Sequence, residues 1–403
     1  MKKKIYYGLA VYNKKEIQAV NRVLKKNTLN LIDGPNVKKL EKKVTSLFGK
    51  KFGLMVNSGS SANLLALSSF NFKKGSEVIT PNLTFSTTVA PIYQLGLIPH
   101  FVGVLKNKFI ADIEQIKKCI NRKTVAIMIP NLLGNIADWI KIKKIAKKYR
   151  LKVIEDSADT IGYKIQNKNT GKLSDVVTNS FYASHIINGA GSGGIVCFND
   201  FKLYNKAKLL RGWGRSSATF NESEEIKKRF NVKISGIDYD AKYIFSDLGY
   251  NFLPSEISAA FALEQIKKLN KNINIRNRNF IYLKNFFKKY SKFFNLPEQY
   301  SGVKTPWLAF PLVIKDNRFF NRKDLQVFFE KNKIQTRTIF TGNILRQPVM
   351  KGKIYKKHKN CQNIANDVMK NGLLIGCHQG LSIPDLKYIS KIFKKFLKQK
   401  KII

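Results

Sequence analysis

Four short apolar runs, "SEVITP", "TVAIMIP", "LKVIEDS" and "GGIVCFN", set the tightest limit on how this chain can fold. Each is rich in Val and Ile, nearly free of charge, and too short to be a buried helix. A strand with one wet face alternates apolar and polar residues, whereas these runs are apolar on both faces. They therefore need helices above and below, and stretches such as "DWIKIKKIAKKYR" supply them between the runs. The pattern predicts an α/β fold with a mostly parallel central sheet. After "LGYNFLPSEISAAFALEQIKKL" the pattern changes. Pro254 and Ser255 can start a helix with Ile257, Ala260, Phe261 and Ile266 on one apolar face, leading the chain out of the large domain. "PWLAFPLVI", "KDLQVFFEKNKIQTRTIF" and "DLKYISKIFKKFLKQK" then suggest a smaller α+β domain. The expected division is 1–265 for the N-terminal segment and large domain, and 266–403 for the small one.

Composition narrows the function classes. The chain has 403 residues, 44% of them hydrophobic, enough for a large core and a second domain. Its formal charge of +47, from 73 Lys and Arg against 26 Asp and Glu, raises nucleic acid as a partner. The lysines are scattered along the chain as pairs instead of gathering in one basic segment, which argues against specific nucleic-acid binding; an anionic small substrate benefits from the same field. Cys119, Cys197, Cys361 and Cys377 form no C-x-x-C or C-x-C pair, so neither a metal site nor a disulfide framework is expected. No apolar run reaches the roughly 18 residues that span a bilayer, and "MKKKIYYGLAVYNKKE" lacks a signal-peptide core, so a cytoplasmic protein without membrane insertion is expected.

Three segments carry candidate chemistry. "NSGSSAN", Asn57 to Asn63, closes one strand and opens a helix, where backbone N–H groups, serine hydroxyls and the helix dipole make a phosphate site; an ordinary N-cap would read the same. "VIEDSAD" puts Asp156 at the end of a strand, the edge where open α/β sheets bind ligands, although a helix cap would again suffice. "SFYASHIINGAGSGG" then adds Ser180 and His185 beyond another strand.

Together with "DGPNVKKLEKKVTSLFG", "TPNLTFSTT" and "LGYNFLPSEISAAFALEQIKKL", these motifs resemble, in order and over nearly the whole chain, the DegT/DnrJ/StrS family of nucleotide-sugar aminotransferases and dehydratases. The resemblance implies the type I pyridoxal-phosphate fold, aspartate aminotransferase-like, in a homodimer with shared active sites. It implies pyridoxal or pyridoxamine 5'-phosphate as cofactor. Gly59, Ser60 and Ser180 would contact its phosphate, Phe85 would stack on its ring, Asp156 would hold its pyridine nitrogen, and Asp159 would lie near its hydroxyl. Asn251 would reach the phosphate of the neighbouring subunit's cofactor.

His185 departs from the aminotransferase pattern S-F-x-x-x-K. Imidazole has no primary amine and cannot tether pyridoxal, yet it is a competent base at neutral pH. In this family such a histidine marks the sugar 3-dehydratases, which remove the carbon 3 hydroxyl of a nucleotide-linked 4-keto-6-deoxyhexose for surface-polysaccharide synthesis. The other readings are an aminotransferase on the same sugars and a noncatalytic, ligand-binding relative. "LRGWGRSSATFNESEEIKKRF" and "YDAKYIFSDLGYN" resemble the iron–sulfur branch, the CDP-4-keto-6-deoxyglucose 3-dehydratases, but Arg215 to Phe230 contains no cysteine, and no cluster is expected. Hydrolysis would then release ammonia, and an amino acid such as glutamate would restore the amine. "RTIFTGNILRQPVMKG" matches the same branch and makes Arg337 and Arg346, with Arg215, candidates for contacting the sugar or its diphosphate.

Overall fold

Strands that are apolar on both faces end up buried on both faces. The computed structural model describes residues 4–26, 31–219, 225–300, 302–303, 305–316 and 318–402. Its main sheet has eight strands: β1 (Phe52–Val56), β2 (Glu77–Pro81), β3 (Ile98–Val102), β4 (Thr124–Pro130), β5 (Lys152–Asp156), β6 (Val176–Ser180), β7 (Gly194–Phe198) and, from far along the chain, β10 (Lys356–Lys357). Their order is β1-β7-β6-β5-β4-β2-β3-β10, and every pairing is parallel except those of β7, which runs against both neighbours. The faces separate by strand alternation: Ile127 and Ile129 of β4 join one core cluster, Ala126 and Met128 the other. Because β1 to β6 run parallel, the loops that follow them emerge on one edge of the sheet. That edge collects Asn57, Pro130, Asp156 and Ser180.

A second, three-stranded antiparallel sheet joins β8 (Phe294–Asn295), β9 (Phe310–Ile314) and β11 (Gly372–Ile375). Its core is aromatic, with Phe280 stacked on Trp307 at 4.8 Å between centroids and Phe287, Phe310 and Phe393 beside them. Two segments cross the line at 265/266. Ile5 pairs with Ile334 and Tyr7 N–H donates to the Gln335 side chain, while β10 extends the edge of the main sheet.

Helices α1 (Lys14–Lys25), α2 (Pro35–Phe48), α3 (Gly59–Ser68), α4 (Ser86–Gln94), α5 (Glu256–Lys267) and α6 (Leu269–Lys288) place the site. The sequence pattern gave α5 a single apolar face, and the structure corrects this. Ala259 and Ala262 pack among Val37 and Leu40 of α2, Ala260 packs against Ala19 and Val23 of α1, and Ile257 and Ile266 are only half-buried. The alanines let two helices approach α5 from different sides, so small size, more than an apolar stripe, explains its burial. No described helix is long and apolar enough to cross a membrane.

Candidate active site

At the loop edge of the main sheet lies a cavity of about 510 Å³. Gly59, Ser60, Phe85, Asp156, Asp159, Ser180 and His185, from four segments of the chain, all line it. One wall is the start of α3. Ser58 caps the helix, its hydroxyl accepting the Ser61 N–H at 3.1 Å, and the first backbone bond inside the helix is Ala62 N–H to Ser58 C=O. The N–H groups of Gly59 and Ser60 precede that bond and carry the positive end of the helix dipole. Gly59 is required by packing: a Cβ there would lie 2.5 Å from Ser180 Cβ. The close approach brings the Ser180 hydroxyl beside the helix start. Gly193, at φ +113°, completes the cradle by donating its N–H to the Asn57 carbonyl at 2.9 Å.

Asp156, at the end of β5, forms the far wall. One carboxylate oxygen accepts Asn63 Nδ2 and Thr88 Oγ1, each at 2.9 Å, and the other accepts the Ala158 N–H at 3.2 Å. The Thr178 hydroxyl in turn donates to Asn63 Oδ1 at 2.6 Å and fixes the amide's orientation. Burial pushes the Asp156 carboxyl above its ordinary range in spite of these donors. The site therefore presents a rigid acceptor in want of a positive partner.

His185 follows β6 on a short turn. Its Nδ1 lies 3.2 Å from the Ser180 carbonyl oxygen. That oxygen can only accept, so Nδ1 carries the proton and Nε2 keeps its lone pair. Nε2 lies 3.7 Å from Asp159 Oδ1, and Asp159 Oδ2 accepts the Leu133 N–H at 2.8 Å. Burial, aided by the charge of Arg276 and opposed by the Ser180 carbonyl, lowers the His185 pKa to about 4. Burial raises that of Asp159 to about 7, against the Leu133 N–H. Both shifts favour the neutral imidazole. No lysine is among the described residues lining the cavity.

The other four candidates lie elsewhere. Arg337 lines a second cavity of about 480 Å³ that shares Tyr7, Phe85 and Phe340 with the first. Arg346 is exposed and donates to Asn366 Oδ1 at 2.8 Å. Arg215 sits over the Trp213, Tyr243 and Phe245 rings at 4.5, 5.3 and 5.5 Å. Asn251 is exposed, its carbonyl accepting Asn57 Nδ2 at 3.3 Å. The motif following Arg215 lies partly outside the described residues, which omit 220–224. Cys119, Cys197, Cys361 and Cys377 are all buried, and no described group of three or more His, Cys, Asp or Glu could hold a metal ion. Sequence reasoning missed Asn63 and Thr88, although both stand inside the quoted motifs, and it missed Tyr7, Leu308 and Phe340, which arrive from distant segments.

The residues fit a pyridoxal-type cofactor. The helix start and Ser180 suit a phosphate, the buried carboxylate of Asp156, held by neutral donors, suits a protonated pyridine nitrogen, and Phe85, half exposed at the cavity wall, offers a ring face.

Comparison with known proteins agrees. The model of the DegT/DnrJ/EryC1/StrS aminotransferase family matches residues 11–394. The lipopolysaccharide biosynthesis protein RfbH of Salmonella typhimurium is 34% identical over 367 residues, covering 88% of this chain and 84% of RfbH. The GDP-4-keto-6-deoxy-D-mannose 3-dehydratase of Escherichia coli O55:H7 is 32% identical over 402 residues, 97% of this chain and 100% of that one. A solved GDP-4-keto-6-deoxymannose-3-dehydratase with a trapped PLP-glutamate geminal diamine superposes with a TM-score of 0.86 at 29% identity, covering 96% of this chain and 99% of that chain.

Proposed function

This chain belongs to the DegT/DnrJ/EryC1/StrS aminotransferase family, and from that premise we propose that it is a pyridoxamine/pyridoxal-phosphate-dependent dehydratase that removes the carbon 3 hydroxyl of a nucleotide-linked 4-keto-6-deoxyhexose. The observation that carries the reading is His185, a neutral base with its free nitrogen turned into a cavity that no described lysine lines.

Bound there, pyridoxamine phosphate would supply an amine for the sugar's ketone and a ring that accepts electrons. Gly59, Ser60 and Ser180 would hold the phosphate, and Asp156 would keep the ring nitrogen protonated. Phe85 would stack on the ring, and Asp159 would serve the ring hydroxyl. His185 Nε2 is the group that would take the proton to be removed in the reaction. The Ser180 carbonyl keeps the proton on Nδ1, so Nε2, beside Asp159 of the cavity lining, is the nitrogen left with a lone pair. With no lysine among the described residues lining the cavity, nothing there would tether the amine.

Glutamate restores the amine, as the adduct trapped in the relative supports. Each turnover would then give one 3-deoxy sugar, one ammonia and one 2-oxoglutarate. The enzyme works in the cytoplasm, in a surface-polysaccharide pathway like that named for RfbH. Two copies pair, and Asn251 of the partner subunit reaches the phosphate. Exposed Trp213, Tyr243, Phe245 and Leu248 near Asn251 supply an apolar surface for that pairing. The second cavity, with Arg337, receives the nucleotide diphosphate, and we keep the division at 265/266 as a proposed domain boundary.

The test incubates purified protein with pyridoxamine phosphate, glutamate and CDP-, GDP- or dTDP-linked 4-keto-6-deoxyhexoses, and measures sugar mass and ammonia. Loss of one oxygen from the sugar with stoichiometric ammonia supports the reading. Nitrogen in the sugar would make the enzyme an aminotransferase instead, and cofactor binding without any product would make it a ligand-binding relative.

A further inference from the structure

Arg276 lies wholly inside the protein, on the buried stripe of α6 formed by Asn272, Arg276, Asn279, Phe280, Leu283 and Phe287. Its guanidinium meets neutral acceptors. Nε donates to Gln379 Oε1 at 2.7 Å, one terminal nitrogen donates to the Trp307 and Leu308 carbonyls at 3.2 and 3.0 Å, and the other lies 3.5 Å from the Ser184 carbonyl. No ion pair among the described residues includes it. A buried charge without a counter-ion is costly, and an arginine cannot escape by losing its proton.

The acceptors explain its place. Ser184 immediately precedes His185. Leu308 donates its N–H to the Leu133 carbonyl at 2.7 Å, and Leu133 donates its own N–H to Asp159 at 2.8 Å. One guanidinium thus meets the segment that carries His185 directly and is linked to Asp159 in two steps, through Leu308 and Leu133. On the reading that His185 is the base of the dehydration, we propose that Arg276 is the positioning residue of the His185–Asp159 pair, bracing the turn before His185 directly and Asp159 through Leu308 and Leu133, and biasing the pair toward neutral imidazole and ionised carboxylate.

Tyr7, Asp159, Tyr163, His185, Cys377 and His378 face its charge. Burial raises the two tyrosines, pushes Cys377 up to about 12 and lowers His378 to about 4. The group that can answer Arg276 near neutral pH is therefore Asp159. The sign follows directly. A cation disfavours imidazolium, so removing it makes His185 easier to protonate and moves its titration to higher pH.

The test compares Arg276→Met with Arg276→Lys, and uses Arg276→Gln as a second neutral variant should Met not fold. In cofactor-free protein labelled with 15N-histidine, the His185 midpoint should rise by about one pH unit or more in the neutral variants and stay near wild type in Arg276→Lys. The acid limb of kcat/KM for dehydration should move in the same way. A midpoint unmoved in the neutral variants, or moved equally by lysine, would overturn the proposal and leave Arg276 a packing residue. Absence of dehydration by the wild-type enzyme would strike the reaction reading alone, because the histidine titration needs no turnover.

Discussion

The floor of the cavity and the rim around residues 213–251 invert the usual surface rule in opposite ways. On the floor, polar groups are buried: Asp156 and Ser180 are 5% and 6% exposed, and among the described residues Asp156 has neutral donors and no cation. On the rim, apolar groups are wet: Leu248 is 94% exposed and Phe245 54%. A buried charge without a partner points to a charged ligand, and a cluster of exposed rings points to another protein surface. The buried polar groups of the floor all come from one chain, whereas we propose that the rim is completed by a second copy.

Substitutions on the two regions should therefore fail differently. His185→Asn, on the floor, should retain the cofactor, because the phosphate and ring contacts lie elsewhere, and should lose about 100- to 10,000-fold in dehydration rate. Steady-state rates beside a cofactor titration check this, and a near wild-type rate would mean that another group moves the proton. Asp156→Asn should weaken cofactor binding by about 10- to 100-fold, the worth of one hydrogen bond to an ionised partner. Equilibrium dialysis against pyridoxamine phosphate reads it, with the rate at saturating cofactor also reduced. Leu248→Glu, on the rim, should leave cofactor affinity of the isolated chain unchanged and raise the dimer dissociation constant about tenfold, roughly 1.4 kcal/mol. Sedimentation over a concentration series would show it. A monomeric wild type would remove the contrast between floor and rim altogether.

Legibility in the sequence follows the same line. The floor is built from stretches at strand ends, so the capped helix start, Asp156 and His185 can each be read from a contiguous motif. Parallel strands then do the assembling, since every such end reaches the same edge. Tyr7, Leu308 and Phe340 reach the cavity through long-range contacts and share no local pattern. Arg276 is hidden differently. In a chain with 73 basic residues one more arginine on a helix looks solvated, and only the spacing Asn272, Arg276, Asn279, Phe280, Leu283, Phe287 betrays that it faces inward. The sequence pattern does not single out Ala259 and Ala262 of α5, because periodicity registers hydrophobic faces and is blind to small residues that admit two neighbours.

The central claim is that this site works without a covalent tether, with His185 where an amine would otherwise anchor the cofactor. Borohydride reduction of the protein with bound pyridoxal phosphate, followed by intact-mass measurement, tests it directly. The polypeptide mass should be unchanged while the cofactor is released on denaturation; a stable cofactor adduct on the chain would contradict the account.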